Sequence, residues 1–395
     1  MGRKKRRTFV LGRRDGRRQA VFTGVLAACL VIGVVLWAAA DPPTRNPEAR
    51  IDSLFAKVGS STPGAAVLVI QGGRVVFQHG YGVTDLRTHR KIDEHTNFRL
   101  ASLSKQFTAM AVMLLVHDSK LRYDEPLTEV FPEFPAYGRG ITIRELLNHT
   151  SGLLDYEDLL ASEYANTPEE RIPQIHAAGV LARMESVNAT KFPPGAHWAY
   201  SNSGYCVLAM VVEKISGKPF RDFLQERIFT PLGMTQTVAY EKGVNQVVNR
   251  AYGHTLHGTR WRETDQDSTS ATLGDGGVYT SLADMALWDK ALREHTLLDE
   301  GEMKPALTAV APSAGPAQEH GRAVSYGFGW FLDPYRGHPR MWHYGETVGF
   351  RTSIQRFPAD GLTVIVLCNR TDLAAPELAL HIADLYLDPA EAPQN

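Results

Sequence analysis

Cysteine is scarce, with three residues in 395. Cys29 falls in an apolar stretch. Cys206 and Cys368 stand among apolar neighbours without a spacing that demands pairing, so no disulfide framework is implied and buried free thiols are expected. The chain has 14 histidines but no His-Glu-x-x-His and no Cys/His cluster with metal-ligand spacing. Neither a metal nor another cofactor is therefore expected. Charge of one sign is also lacking, the net being −1. That balance hides a split: residues 1–40 hold nine Lys/Arg against Asp15 alone, which leaves the remainder at −9. An acidic body argues against nucleic acid as a partner. No internal repeat occurs, and no low-complexity tract outside the N-terminus. Hydrophobic content of 44% and charged content of 22% are those of a globular chain that can bury one large core or two.

One long apolar run exists, Ala20 to Ala40, 21 residues without a charge. It is long enough to span a bilayer as a helix. The basic segment 1–19 before it would stay cytoplasmic and put the body outside. A cleaved signal peptide competes, because Ala38-Ala39-Ala40 offers small residues to a peptidase, but the run exceeds the usual apolar core of such signals. The length favours an uncleaved anchor. Leu26-Ala27-Ala28-Cys29 is a weaker lipoprotein-type pattern, and Arg6-Arg7-Thr8-Phe9-Val10 a faint twin-arginine one. Every one of these readings exports the body or tethers it to the membrane.

Residues 41–50, rich in proline, read as a linker, and 50–58 as a short helix. Ala65–Ile70, Gly72-Gly73 and Val75–Phe77 predict a β-hairpin, with a turn beginning at Gly80-Tyr81-Gly82. From Leu121 to about Ala271 the chain reads as helices and loops punctuated by prolines, including a helix over 207–215 stopped at Gly217. Strand patterns return at 327–332, 352–357 and 362–367, with 358–361 as the turn joining the last two. A helix over 377–387 closes the body, and 388–395 is a tail. Strands at both ends predict one sheet built from about 51–120 and 272–387, with a helical insert of about 121–271 over one edge. The cleft between them is the natural ligand site.

Three short stretches carry chemistry. Ser102-x-x-Lys105 opens the apolar run 107–116, read as a buried helix. A lysine at i+3 shares the serine's helix face, and if desolvated it can act as the base that a serine nucleophile needs. Tyr200-Ser201-Asn202 lies in a Pro/Gly/Ser-rich loop. It offers a phenol for proton transfer and an amide to orient a lysine or a substrate. His343-Tyr344-Gly345-Glu346 offers a histidine that can bring positive charge to the cleft and a glycine that lets a substrate approach the backbone.

In this order the three stretches resemble the serine β-lactamase and penicillin-binding-protein superfamily, in the branch of class C β-lactamases, DD-carboxypeptidases, D-aminopeptidases and related esterases. Leu146–Leu153 and Gly274–Met285 resemble that branch too, so the likeness covers about 51–387. The resemblance implies an α/β (α+β) fold with an antiparallel sheet flanked by helices. It implies that Ser102 is the acylated nucleophile and Lys105 the base or its electrostatic helper. Tyr200 would shuttle the proton, Asn202 orient Lys105 and the substrate, and His343 stand where lysine is frequent. The N–H groups of Ser102 and Glu346 would form the oxyanion hole, with Gly345 beside them. A small-molecule or peptide substrate is implied, and the oligomeric state is left open. Histidine at 343 and a carboxylate at 346 favour peptidase or esterase activity over a dedicated β-lactamase. The alternatives are a module that is acylated without turnover, a class C-like β-lactamase, and a scaffold with a dead site.

Overall fold

The computed structural model describes residues 46–319 and 321–388. The expected anchor over 20–40 and its basic leader lie outside the described residues. Among the described residues no helix is long and apolar enough to cross a membrane.

The body opens on a helix over Pro47–Leu54. Asn46 Oδ1 accepts from Glu48 N at 2.9 Å and Pro47 fills the first turn, so the helix starts and ends earlier than the apolar pattern predicts. The strands follow in chain order. They are β1 Ala65–Gln71, β2 Arg74–Tyr81, β3 Phe98–Arg99, β4 Val238–Ala239, β5 His254–His257, β6 Arg260–Glu263, β7 Val278–Thr280, β8 Gln318–Glu319, β9 Arg322–Ala323, β10 Met341–Thr347, β11 Phe350–Phe357 and β12 Leu362–Cys368.

The main sheet runs β10-β11-β12-β1-β2, antiparallel at every pairing. As expected, both chain ends build it, because β1 seats itself beside β12 with Ala66 opposite Leu367 and Leu68 opposite Ile365. Both strands are buried on two faces, which is why their sequences read as unbroken apolar runs rather than alternating ones. Val67, Val69, Val364 and Val366 meet the terminal helices through Ile51, Ala379 and Ile382. Leu68, Ile365 and Leu367 face the main core, where Phe107, Met110 and Leu114 pack. Full burial of each such side chain contributes about 1.5–3 kcal/mol relative to exposure. Cys206 and Cys368 are buried and free.

Several elements differ from expectation. Gly80 and Tyr81 extend β2, and the turn waits for Gly82 at φ 80°. The closing helix covers Ala375–Ala383, set by a proline in its first turn. The stretch 327–332 is no strand. Gly329 sits at φ 75°, so the segment turns, touching the sheet through one bridge between Phe331 and Trp342. A Cβ on Gly329 would meet the Lys105 carbonyl at 2.9 Å, so this turn presses on the start of the helix that begins at Lys105. The middle of the chain holds the short β4 strand and the β5–β6 hairpin among its helices.

Candidate active site

The turn that carries the serine is clamped on every side. β3 pairs with β7, Phe98 opposite Thr280, and Leu100 N donates to Val278 O at 2.8 Å. Ala101 then takes φ 51°, a left-handed conformation that costs a residue with a Cβ about 1–3 kcal/mol. Residues Ala101–Ser104 form a 3₁₀ turn, and the α-helix begins only at Lys105 and runs to His117. One continuous helix from Ser102 was the expectation. The tighter turn has three residues per revolution, so side chains at i and i+3 eclipse, and Lys105 is brought directly beside Ser102. Gly345 of β10 completes the clamp. A Cβ there would lie 2.0 Å from Leu100 O and 2.4 Å from Thr352 Oγ1, so it is the protein's own turn, not a substrate, that requires this glycine.

Lys105 is fully buried. Its Nζ lies 3.0 Å from Ser102 Oγ, 2.8 Å from Asn202 Oδ1 and 2.9 Å from the Asp275 carbonyl. Asn202 is the first residue of a helix over Asn202–Ser216, not a loop residue, because Ser201 caps that helix through Gly204 N. The Asn202 amide is oriented by Glu157, whose Oε1 accepts from Nδ2 at 3.0 Å. Its oxygen therefore faces Lys105. Burial lowers the Lys105 pKa to about 8, against the partly offsetting negative charge of Asp275 and its neighbours. Asn202 Oδ1 and the Asp275 carbonyl can only accept, so they take two N–H groups. A neutral amine has two, and its lone pair is left for the Ser102 hydroxyl.

Tyr200 precedes the cap, half-buried, with its ring centre 4.8 Å from Lys105 Nζ. His343 is a different matter. The expectation of a cleft cation is corrected: the side chain is fully buried. Its Nε2 meets Tyr326 Oη at 3.1 Å, and Nδ1 faces the Tyr344 backbone. Burial, helped by the nearby Lys105 charge, pushes its pKa down to about 3, so at neutral pH it carries no charge. For an acidic substrate, kcat/KM measured between pH 5 and 8 is accordingly expected to show no limb that His343→Gln abolishes. A histidine limb near the reference value of about 6.5 that vanishes in the variant would contradict this placement.

Glu346 is exposed and 3.9 Å from Arg351. Trp342 exchanges both backbone bonds with Phe331, so alternate residues of β10 turn their N–H groups away from β11. Glu346 N–H is therefore on the outer edge. Arg99, Ser102, Asn202, Glu157, Asp275 and Glu346 line one cleft, and Lys105 lies beneath it. Glu157 and Asp275 were not legible as site residues, since no spacing marks them. Glu157 follows the Asp155 cap of a short helix, and Asp275 contributes a main-chain oxygen. Burial, and then the negative charges of Asp155 and Asp275, raise the Glu157 pKa. Among the described residues no group of three His, Cys, Asp or Glu is placed to hold a metal ion.

A family model described as Beta-lactamase matches residues 51–387. Penicillin-binding protein 4* of Bacillus subtilis (strain 168) is 30% identical over 370 residues, covering 89% of this chain and 79% of that protein. A D-aminopeptidase of Brucella anthropi is 29% identical over 334 residues; the match covers 82% of this chain and 59% of the relative's length. Among solved structures, a penicillin binding protein from Bacillus halodurans superposes with a TM-score of 0.71 at 25% identity, over 85% of this chain and 99% of that one. The D-amino acid amidase of Ochrobactrum anthropi SV3 shares the fold, with a TM-score of 0.70 at 23% identity over 86% of this chain and 96% of the other.

Proposed function

Since this chain belongs to the Beta-lactamase family and is a serine hydrolase, we propose that it cleaves amide bonds through an acyl-enzyme on Ser102, acting on substrates with a free ammonium beside the scissile carbonyl. The observation that carries the mechanism is the Lys105 amine held by two obligate acceptors with its third direction on Ser102 Oγ. In this reading neutral Lys105 takes the Ser102 proton as Oγ attacks the carbonyl. The Ser102 and Glu346 N–H groups receive the oxyanion. Tyr200 relays the proton taken up by Lys105 to the leaving amine and the C–N bond breaks; water, giving its proton to Lys105, then attacks the acyl carbonyl, and that proton returns to Ser102 Oγ as the acyl group leaves as the acid.

Charge supports the substrate class. Glu157, Asp275 and Glu346 line the cleft against Arg99, whose guanidinium is engaged by Ser270, while His343 is neutral and Lys105 is engaged below. A carboxylate whose pKa is raised by burial and by neighbouring carboxylates, as that of Glu157 is, gains from an incoming ammonium. The name D-aminopeptidase borne by several relatives fits that chemistry. The relative named as a penicillin-binding protein supports the second reading, an enzyme acylated by penicillins that turns over slowly. Matched D-amino-acid amides with a free or an acetylated amine test the choice. The free amine is expected to be preferred at least tenfold, and Glu157→Gln to remove most of that preference, read as the ratio of the two amides. Equal rates for the two amides would contradict the proposed class.

The N-terminal run 20–40 supports a body tethered outside the cytoplasm. Carbonate-resistant membrane fractionation of the full chain is the expected result, and a mature form beginning at Asp41 would contradict the anchor.

A further inference from the structure

His149 has no part in the mechanism above, yet its ring packs against Tyr200. It sits in the Leu146–Leu153 stretch, directly behind a helix over Ile143–Leu147, fully buried and at φ 65°. Its carbonyl accepts from Ala199 N at 3.0 Å. Its Nδ1 accepts from Ser201 N at 3.1 Å. Between those two anchored residues is Tyr200, and the His149 ring centre is 4.4 Å from the Tyr200 ring. Nδ1 can accept only with its lone pair free, so the imidazole is neutral with its proton on Nε2. Burial, with the positive charge of Lys105 next, disfavours the charged form in the same direction. The imidazole packs among the rings of Trp198, Tyr205 and Tyr326, and Nε2 has no hydrogen-bond partner among the described residues.

An unpaired buried donor destabilises a fold, and an apolar side chain would fill the same space without it. The residue is therefore explained by what its other nitrogen does. We propose that His149 is a positioning residue for Tyr200: its carbonyl and Nδ1 fix the backbone on both sides of the tyrosine, and its ring backs the phenol, whose ring is thereby held against Lys105. The proposal rests on the proton role given to Tyr200 above. It assigns His149 no contact with substrate.

The test is a double-mutant cycle on amide hydrolysis. His149→Ala is expected to lower kcat about 10–100-fold with KM within about twofold. His149→Asn, which offers an acceptor to Ser201 N and tolerates a positive φ, is expected to restore most of the loss. On a Tyr200→Phe background His149→Ala should lower kcat by less than about threefold. If His149→Ala does not fold, His149→Gln replaces it in the cycle, displacing the acceptor without opening a cavity. Losses that multiply in full on the Tyr200→Phe background would overturn the positioning role while leaving the proton role of Tyr200 intact. An unchanged kcat with only a lowered melting temperature would overturn it too. Should Tyr200→Phe by itself keep full kcat, the proton role fails and the positioning proposal falls with it.

Discussion

Lys105→Ala is expected to slow acylation of Ser102 by about 10²–10⁴-fold, the range of a general base. Lys105→Arg is expected to do no better, because a guanidinium keeps its proton at any working pH. The pH profile sharpens the expectation. Burial depresses the ammonium to about 8, and only the neutral amine can accept the serine proton. For a neutral ester, which has no titrating amine of its own, kcat/KM should therefore rise about tenfold per pH unit below 8, bend there and flatten above it. Pre-steady-state acylation measured from pH 6 to 9.5 reads both. An arginine variant with normal acylation, or a profile flat from pH 6 upward, would reduce Lys105 to a fixed charge.

Tyr200→Phe is expected to cost about 10²-fold in kcat for amides and far less for an ester with a good leaving group. A departing amine must be protonated as the C–N bond breaks, whereas a nitrophenolate leaves without a proton. The ring packs close to Lys105 Nζ, so the two variants share a network and their effects should not multiply. The comparison of one D-amino-acid anilide with the matching nitrophenyl ester separates the roles. Equal losses for both would make Tyr200 a positioning element rather than a proton carrier.

What the sequence made legible follows from how local the cause is. β1 and β12 are apolar on both faces, and their runs announce two-sided burial before any partner is known. Ser102 and Lys105 are three residues apart, so their meeting needs only a turn. Asn202 reaches the pair because Ser201, its neighbour, caps a helix. His343 illustrates the opposite. Its charge depends on burial under Tyr326, which directly precedes a stretch that reads as a strand but turns at Gly329. Glu157 and His149 are set by packing between segments about 45 to 52 residues apart in sequence, and no spacing encodes that. Gly345 was legible as a close approach, but the approaching backbone is Leu100 rather than a substrate.

The acyl-enzyme is the centre of this account, and trapping it is the most direct measurement. A slow D-amino-acid ester, quenched in acid during turnover, should add one acyl mass to the intact protein. Proteolysis should place it on the peptide containing Ser102. Ser102→Ala should show neither the adduct nor turnover above background. Hydrolysis that persists in Ser102→Ala, or an adduct on any other residue, would contradict the account.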